Sequence, residues 1–175
     1  MNKKDFNNIS IRGRIVFGIM CFEEYVTDKY PNVDFAPVCE LMWDIVSDKD
    51  YIDASAEKYM EIIPEYLYEF DAFEEAGFEF LSAEDFNAMR KLIPSDDEAL
   101  DLIMHRIYDI AMEHAYGAIE SPARASIDLL FEIIEALEAR GIKVPRIQVV
   151  AKFSFAESGG WGGFIPHAGL SKILP

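Results

Sequence analysis

The stretch from Ser95 to Gly117 constrains most strongly how this chain can fold. It reads SDDEALDLIMHRIYDIAMEHAYG and is apolar on nearly every face. Ser95 and Glu98 have the S-x-x-E spacing of a capping box, in which two side chains satisfy free N–H groups at a helix start. Gly117 is placed to end the helix, because glycine adopts the left-handed conformation without strain. The pattern predicts a long, buried central helix.

Proline, glycine and capping residues divide the rest of the chain into further helices. Asn8 or Ser10 can cap a first helix that ends before Pro31, because proline disfavours the helical conformation in the residue before it. The other predicted helices are one capped by Asp34 and ending near Ser47, one from Tyr51 that restarts at Pro64, one from Ser82 to Ile93 with a capping box to Asp85, and one from a Ser121 cap and Pro122 to Arg140. Residues 71–81 are predicted to form an ordered loop packed by its own phenylalanines.

Gly18 lies on the apolar stripe of the first predicted helix. Glycine inside a helix costs about 1 kcal/mol relative to alanine. We expect the close approach of a neighbouring helix at Gly18 to compensate for this cost.

After Pro145 the apolar pattern changes from a helical to a two-residue period. The segment IQVVAKFSF alternates from Ile147 to Phe155, which is typical of extended chain. A lone strand is not stable, so it is an arm on the helices, half of a small ribbon, or a short helix. The predicted fold is all-α, one domain of about six helices over residues 1–175. Residues 146–175 form an extended or irregular tail packed on it.

The two cysteines and the amino-terminal residues indicate a cytoplasmic protein. Cys21 and Cys39 lie in apolar helical contexts without metal-ligand spacing, so both are predicted to be buried, reduced thiols. The opening MNKKDFNNIS lacks the apolar core of a signal peptide. No apolar run is long enough to span a bilayer.

The negative charge is confined to the middle of the chain. The net charge of the chain is −16. Residues 34–101 contain 20 acidic and 4 basic side chains, and the rest of the chain contains 12 of each. A surface of one sign attracts partners of the opposite charge and repels nucleic acid and anionic membranes. The alternative is a surface that only keeps the protein soluble.

We expect a basic protein partner to dock on this acidic surface, beside interleaved tyrosines and phenylalanines. The predicted partner-binding residues are Glu65, Glu69, Asp71, Glu74, Glu75, Glu79, Asp96 and Asp97. Aromatic side chains beside charges suit an interface anchor, and they equally suit the margin of a helical core. Neither nucleic-acid binding nor membrane binding is expected, and the oligomeric state is left open.

The central helix carries the best candidates for chemistry. Asp101, His105 and Asp109 are spaced by four, so they follow one face, and a histidine between carboxylates can bind a metal or transfer protons. The alternative is that this face is the wet edge of a buried helix, with Arg106 paired nearby. The glycine cluster Gly159–Gly163 lacks the spacing of a phosphate loop. The favoured hypothesis has no catalytic residue, metal or cofactor, and the alternative is a small helical enzyme or metal-binding protein.

The chain resembles bacterial immunity proteins of polymorphic toxin systems. The resemblance is carried by IRGRIVFGIMCFEEYV near the start, IMHRIYDIAMEHAY in the centre and FSFAESGGWGG in the tail. It implies a small, acidic, helical protein without catalysis, which binds a cognate toxin, often a basic nuclease, and blocks it. No site residue carries over from the family.

Overall fold

The fold is all-helical, as predicted. A computed structural model describes residues 1–47, 52–115 and 118–175. Its α-helices are α1 (Ile11–Lys29), α2 (Ala36–Ser47), α3 (Ile52–Met60), α4 (Pro64–Leu67), α5 (Phe73–Ala76), α6 (Ala83–Leu92), α7 (Glu98–Met112) and α8 (Arg124–Glu138). Because α4 and α5 are single turns of four residues, the six longer helices match the predicted number. The predicted helix start at Tyr51 and helix end at Gly117 lie outside the described residues.

The predicted central helix, α7, packs against α1, α3 and α8. The most deeply buried helix is α1, which also contacts α2, α7 and α8. Its buried residues include charged side chains, Arg14 and Glu23, as well as apolar ones. The core therefore surrounds α1, with α7 and α8 against one side.

Gly18 allows this close packing, as expected. A methyl group added at Gly18 would lie 3.1 Å from Ile107 Cγ1 on α7 and 3.4 Å from Ile133 Cδ1 on α8. The first distance is shorter than ordinary van der Waals contact and the second is at its lower limit, so a larger side chain would push the helices apart.

Two of the predicted caps are present, and the cap of α7 is at another residue. Ser10 caps α1 by accepting from the Gly13 N–H, and Ser82 with Asp85 forms the capping box of α6. The predicted cap at Ser95 is wrong, because Asp97 occupies the cap position of α7. Its carboxylate accepts from the N–H groups of Ala99 and Leu100. A carboxylate there also interacts favourably with the positive end of the helix.

The start of the last helix lies later than predicted. Ser121 and Pro122 do not supply its cap and first residue. Ala123 occupies the cap position in the left-handed conformation, with φ of 54°, and the helix begins at Arg124. A non-glycine residue with positive φ cannot continue a right-handed helix.

The extended conformation that the two-residue period after Pro145 indicates is not formed. Residues Ile147–Val149 form a 3-10 turn, and the following residues form further turns. In the described part of the chain, the only β-type pairing is an isolated bridge between Ile9 and Ser154. The segment with the two-residue alternation is irregular instead. It lies against the start of α1, where the Ser10 N–H donates to the Phe153 carbonyl. The irregular tail packed on the helices is confirmed.

Glu23 anchors the end of this tail. Its carboxylate is 1% exposed and accepts hydrogen bonds from Trp43 Nε1, the Ser171 hydroxyl and the Lys172 N–H at 3.0, 2.6 and 2.7 Å. These donors belong to α2 and the tail. A buried carboxylate requires such donors to offset the loss of water.

Cys21 and Cys39 are buried, as predicted. Burial raises the pKa of both thiols, and nearby carboxylates raise it further. Within the described residues, no helix is both long and apolar enough to cross a membrane.

Candidate functional site

Six of the eight predicted partner-binding residues lie on one short segment, residues 64–81, which we call the acidic loop. It begins with α4, passes through α5 and ends just before α6. All six side chains are exposed: Glu65, Glu69, Asp71, Glu74, Glu75 and Glu79. The contacts that hold this loop begin with Glu61, which lies shortly before it in the sequence.

Glu61 fixes the carboxyl end of the acidic loop from beneath. Its side chain is 6% exposed. Oε1 accepts from the Glu79 N–H at 2.6 Å, and Oε2 accepts from the Phe80 and Leu81 N–H groups at 3.0 and 2.8 Å. Three consecutive N–H groups turned toward one carboxylate define a tight backbone conformation, and hydrogen bonds to an ionised acceptor are stronger than neutral ones.

Arg90, on α6, fixes the middle of the loop. Its Nη1 donates to the carbonyls of Phe70 and Asp71 at 2.9 and 3.0 Å. Its guanidinium also lies 4.7 Å from the centre of the Tyr68 ring. The Tyr68 hydroxyl returns a hydrogen bond to the Arg90 carbonyl at 2.8 Å. The one arginine between residues 34 and 101 is therefore engaged with the loop's backbone and with a ring.

Aromatic packing fixes α5 as well. The rings of Phe73, Phe78 and Phe86 contact one another in pairs, with centroid separations of 5.8 to 6.4 Å. The predicted packing of this loop by its own phenylalanines is confirmed, with Phe86 of α6 added. Tyr59 is fully buried, and Tyr66, Tyr68, Phe73 and Phe78 are partly buried against the core. The interleaved aromatic residues therefore belong mostly to the core margin.

Phe80 is the exception. Its side chain is 39% exposed, although its N–H is held by Glu61. An exposed ring on a backbone fixed by hydrogen bonds loses little conformational entropy when it is buried by a partner.

The carboxylates of the acidic loop have little internal neutralisation. Among the described residues, one of the six takes part in an ion pair: Glu65 Oε2 lies 3.0 Å from His105 Nδ1. The remaining five, from Glu69 to Glu79, form none. Their charges therefore face solvent on a fixed backbone.

Asp96 and Asp97 lie at the start of α7, near the end of α1. Asp96 is exposed, whereas Asp97 accepts hydrogen bonds from the hydroxyls of Tyr25 and Tyr30. Burial opposes ionisation of Asp97, but the bonds from Tyr30, Tyr25 and the backbone outweigh it and lower the pKa of its carboxyl. Asp97 thus has a structural role that its position in the acidic run does not indicate.

The side chains on α7 that are candidates for metal binding or proton transfer are only partly brought together. His105 Nε2 lies 3.8 Å from Asp109, and its other nitrogen faces Glu65. Asp109 also pairs with Arg106 at 2.6 Å, as the wet-edge alternative predicts. Asp101 has one buried carboxylate oxygen without a partner. No three His, Cys, Asp or Glu side chains among the described residues are grouped to hold a metal ion.

Sequence reasoning missed Glu61, Arg90 and Phe80. Glu61 stands within MEIIP, between apolar residues, and a carboxylate in such a run signals a buried acceptor. The arrangement of Arg90 and Phe80 depends on contacts between α6 and the loop, which no local pattern encodes.

No protein-family model, curated protein or solved structure matches this chain.

Proposed function

We propose that this protein is a non-catalytic cytoplasmic binding protein, an immunity protein that neutralises a cognate basic toxin through its acidic loop. One observation carries the proposal: the loop's backbone is fixed by Glu61 and Arg90, while five of its carboxylates face solvent without a cation. A solubilising surface needs charge but no such fixed backbone. Fixed charges reduce the entropy lost on association and favour one arrangement of partner cations.

The exposed ring of Phe80 supports the same proposal. Interfaces commonly combine an apolar anchor with a charged rim. In this protein the anchor follows directly after Glu79, and both N–H groups bind the Glu61 carboxylate. A basic partner therefore meets a ring and negative charges held on the same turn.

The test is a charge-matched pair of variants. The loop variant carries Glu69→Gln, Asp71→Asn, Glu74→Gln and Glu75→Gln. The control carries Glu40→Gln, Glu113→Gln, Glu135→Gln and Glu138→Gln, which remove the same charge from exposed positions outside the loop. The genes beside this protein's own are searched for a secreted protein with a toxic domain, and each variant is tested against that domain by growth rescue and by binding at two salt concentrations.

The unmodified protein and the control should rescue growth equally. The loop variant should bind about tenfold or more weakly, with a smaller dependence of association rate on salt, because long-range attraction between charges is screened by salt. Equal binding by both variants, or rescue by the loop variant, would show that the acidic loop is not the docking surface.

A further inference from the structure

A recess of about 390 Å³ opens beside the glycine-rich turn of the tail, residues 159–163. Its walls come from this turn and from the starts of α1 and α3. Among the described lining residues, the apolar side chains are Ile52, Ala115, Trp161 and Phe164, and the charged ones are Arg12 and Asp53. Small-molecule pockets commonly combine an apolar lining of this kind with a few polar groups that fix the ligand's orientation.

The backbone on both sides of Phe164 is fixed. Gly162 has a φ of 78°, and a methyl group there would collide with the side chain of Ser10, so only glycine fits. Ile165 is 2% exposed, and its N–H donates to the Val46 carbonyl at 2.9 Å. The Phe164 side chain between them is nevertheless 48% exposed. An exposed ring on an anchored backbone offers an apolar contact at a small entropic cost.

The guanidinium of Arg12 is held in the wall of the recess. Its Nη1 donates to the Gly162 carbonyl at 3.0 Å, and its Cζ lies 4.9 Å from the centre of the Phe164 ring and 5.9 Å from that of Trp161. In the described structure no carboxylate forms an ion pair with Arg12. Burial lowers the pKa of Arg12, but arginine keeps its proton in proteins. The recess therefore contains a positioned positive charge without a counter-charge.

The second charge of the recess is Asp53, in the first turn of α3. Its Oδ1 accepts from the Ala54 N–H at 3.1 Å. Within the part of the chain that the structure describes, Asp53 forms an ion pair neither with Arg12 nor with any other cation. Two opposite charges thus line one recess, and each can bind a ligand group of opposite sign.

From these two unpaired charges and the exposed ring, we infer that the recess binds a free amino acid with an apolar side chain. Arg12 binds the ligand's carboxylate, Asp53 binds its ammonium group, and Phe164 contacts its side chain. A phosphate dianion would be repelled by Asp53 and a simple amine by Arg12, whereas a zwitterion satisfies both charges. The inference is independent of the proposed function, because none of these residues belongs to the acidic loop.

The experiment titrates phenylalanine into the full chain at neutral pH, and NMR follows the indole N–H signals of Trp161 and Trp43, the two tryptophans of the chain. Trp161 lines the recess. Trp43 is 1% exposed and donates to Glu23, so its signal reports on the fold alone. A saturable shift at Trp161 without a shift at Trp43 is expected. Absence of saturable binding would overturn the inference.

Three related compounds test the assignment of each ligand group. Phenylalaninamide lacks the carboxylate and N-acetylphenylalanine lacks the ammonium group, so each should bind about tenfold more weakly than phenylalanine, because one charge-assisted hydrogen bond is lost. The amino acid glycine should also bind more weakly, because it lacks the apolar side chain. If either phenylalanine derivative bound as tightly as phenylalanine itself, the recess would recognise a single charge and the inference would fail.

Two variants locate the charges, and a third is their control. Arg12→Gln should weaken phenylalanine binding about tenfold and remove the difference between phenylalanine and phenylalaninamide. Asp53→Asn should remove the difference between phenylalanine and N-acetylphenylalanine. Arg146→Gln, the same change as the first at an exposed position outside the recess, should leave binding unchanged. The Trp43 signal checks that each variant is folded.

The comparison between compounds separates recognition from a structural effect. A variant that only disturbs the recess weakens phenylalanine and its derivatives by the same factor, and this result in both Arg12→Gln and Asp53→Asn would overturn the inference. Equal weakening of phenylalanine binding by Arg12→Gln and Arg146→Gln would overturn it as well.

Discussion

The buried carboxylate of Glu61 holds the N–H of Phe80, the exposed aromatic residue of the acidic loop. The Oε2–N distance is 3.0 Å, and the same carboxylate also binds the N–H groups on either side. The position of an exposed ring is thus set by a charged group that a partner does not reach. A variant of Glu61 can therefore weaken binding without altering the contact surface.

Glu61→Ala should lower the free energy of unfolding by about 2–3 kcal/mol, because three N–H groups lose a charged acceptor. It should also speed hydrogen exchange at the amides of residues 79–81. Urea unfolding and exchange measured by NMR check both effects. Glu40→Ala, an exposed change on α2, should alter stability by less than about 0.5 kcal/mol. Unchanged exchange at residues 79–81 would contradict the role given to Glu61.

Asp97→Asn should destabilise the protein in a pH-dependent way. The folded-state pKa of Asp97 lies below its value in the unfolded chain, about 3.9. The stabilisation from its ionised form is therefore fully present above that value and is lost as pH falls through the lowered folded-state pKa. Asparagine can still cap the helix, so the gap at pH 7 comes from the lost charge at the helix start and from weaker hydrogen bonds to the tyrosines; we expect about 1 kcal/mol, and the gap narrows below about pH 4.

Unfolding curves across this pH range measure the gap. Asp96→Asn is the matched control, because Asp96 is exposed and adjacent. A gap that stays constant down to pH 2 would mean that ionisation of Asp97 contributes nothing.

Glu23→Ala should cost about 3 kcal/mol, because it leaves three donors without their charged acceptor in a buried site. The control is Glu24→Ala. Glu24 bonds the Lys172 side chain at 2.9 Å, and a surface pair of this kind contributes at most about 1 kcal/mol. Both variants remove a contact with the same tail residue. Equal losses of stability would show that burial of Glu23 is not the deciding factor.

Gly18→Ala should destabilise the protein by about 1 kcal/mol, although alanine forms helices better. The added methyl would lie too close to Ile107 and Ile133, and overpacking costs about 1–3 kcal/mol, against a gain of about 1 kcal/mol in helix propensity. Gly163→Ala is the control, since its nearest contact is 3.9 Å away. Thermal unfolding of both variants tests this. A more stable Gly18→Ala protein would show that α7 and α8 can move apart at no cost.

Local patterns predicted the helices well because a helix is built from contacts three and four residues apart. The stripe around Gly18 and the capping box at Ser82 are local features of this kind. The start of α8 was misplaced because Arg14 binds the carbonyls of Pro122 and Ala123, more than a hundred residues away. The two-residue alternation after Pro145 indicated extended chain, which the structure does not have. The reason is related, since contacts with the start of α1 determine the conformation of that segment.

The acidic loop was located correctly from its charge, since charge along a surface segment is visible in the sequence. The contacts that fix its backbone were not predicted, because Glu61 and Arg90 bind backbone atoms that are 18 to 20 residues away in the sequence. For Asp97, in contrast, the charge in the sequence did not indicate the residue's role. It has the same charge as its neighbours in the sequence, and only its hydrogen bonds from Tyr25 of α1 and from Tyr30, just after α1, distinguish it.

Glu23 also has a consequence for biosynthesis. It lies on the first long helix, and two of its three donors are residues 171 and 172. During translation this carboxylate enters the nascent chain about 150 residues before those donors do, while domains generally fold as units. Until residues 171 and 172 have left the ribosome, α1 carries a charge that the core cannot yet accommodate. The emergence of these two residues therefore determines when the interior can close.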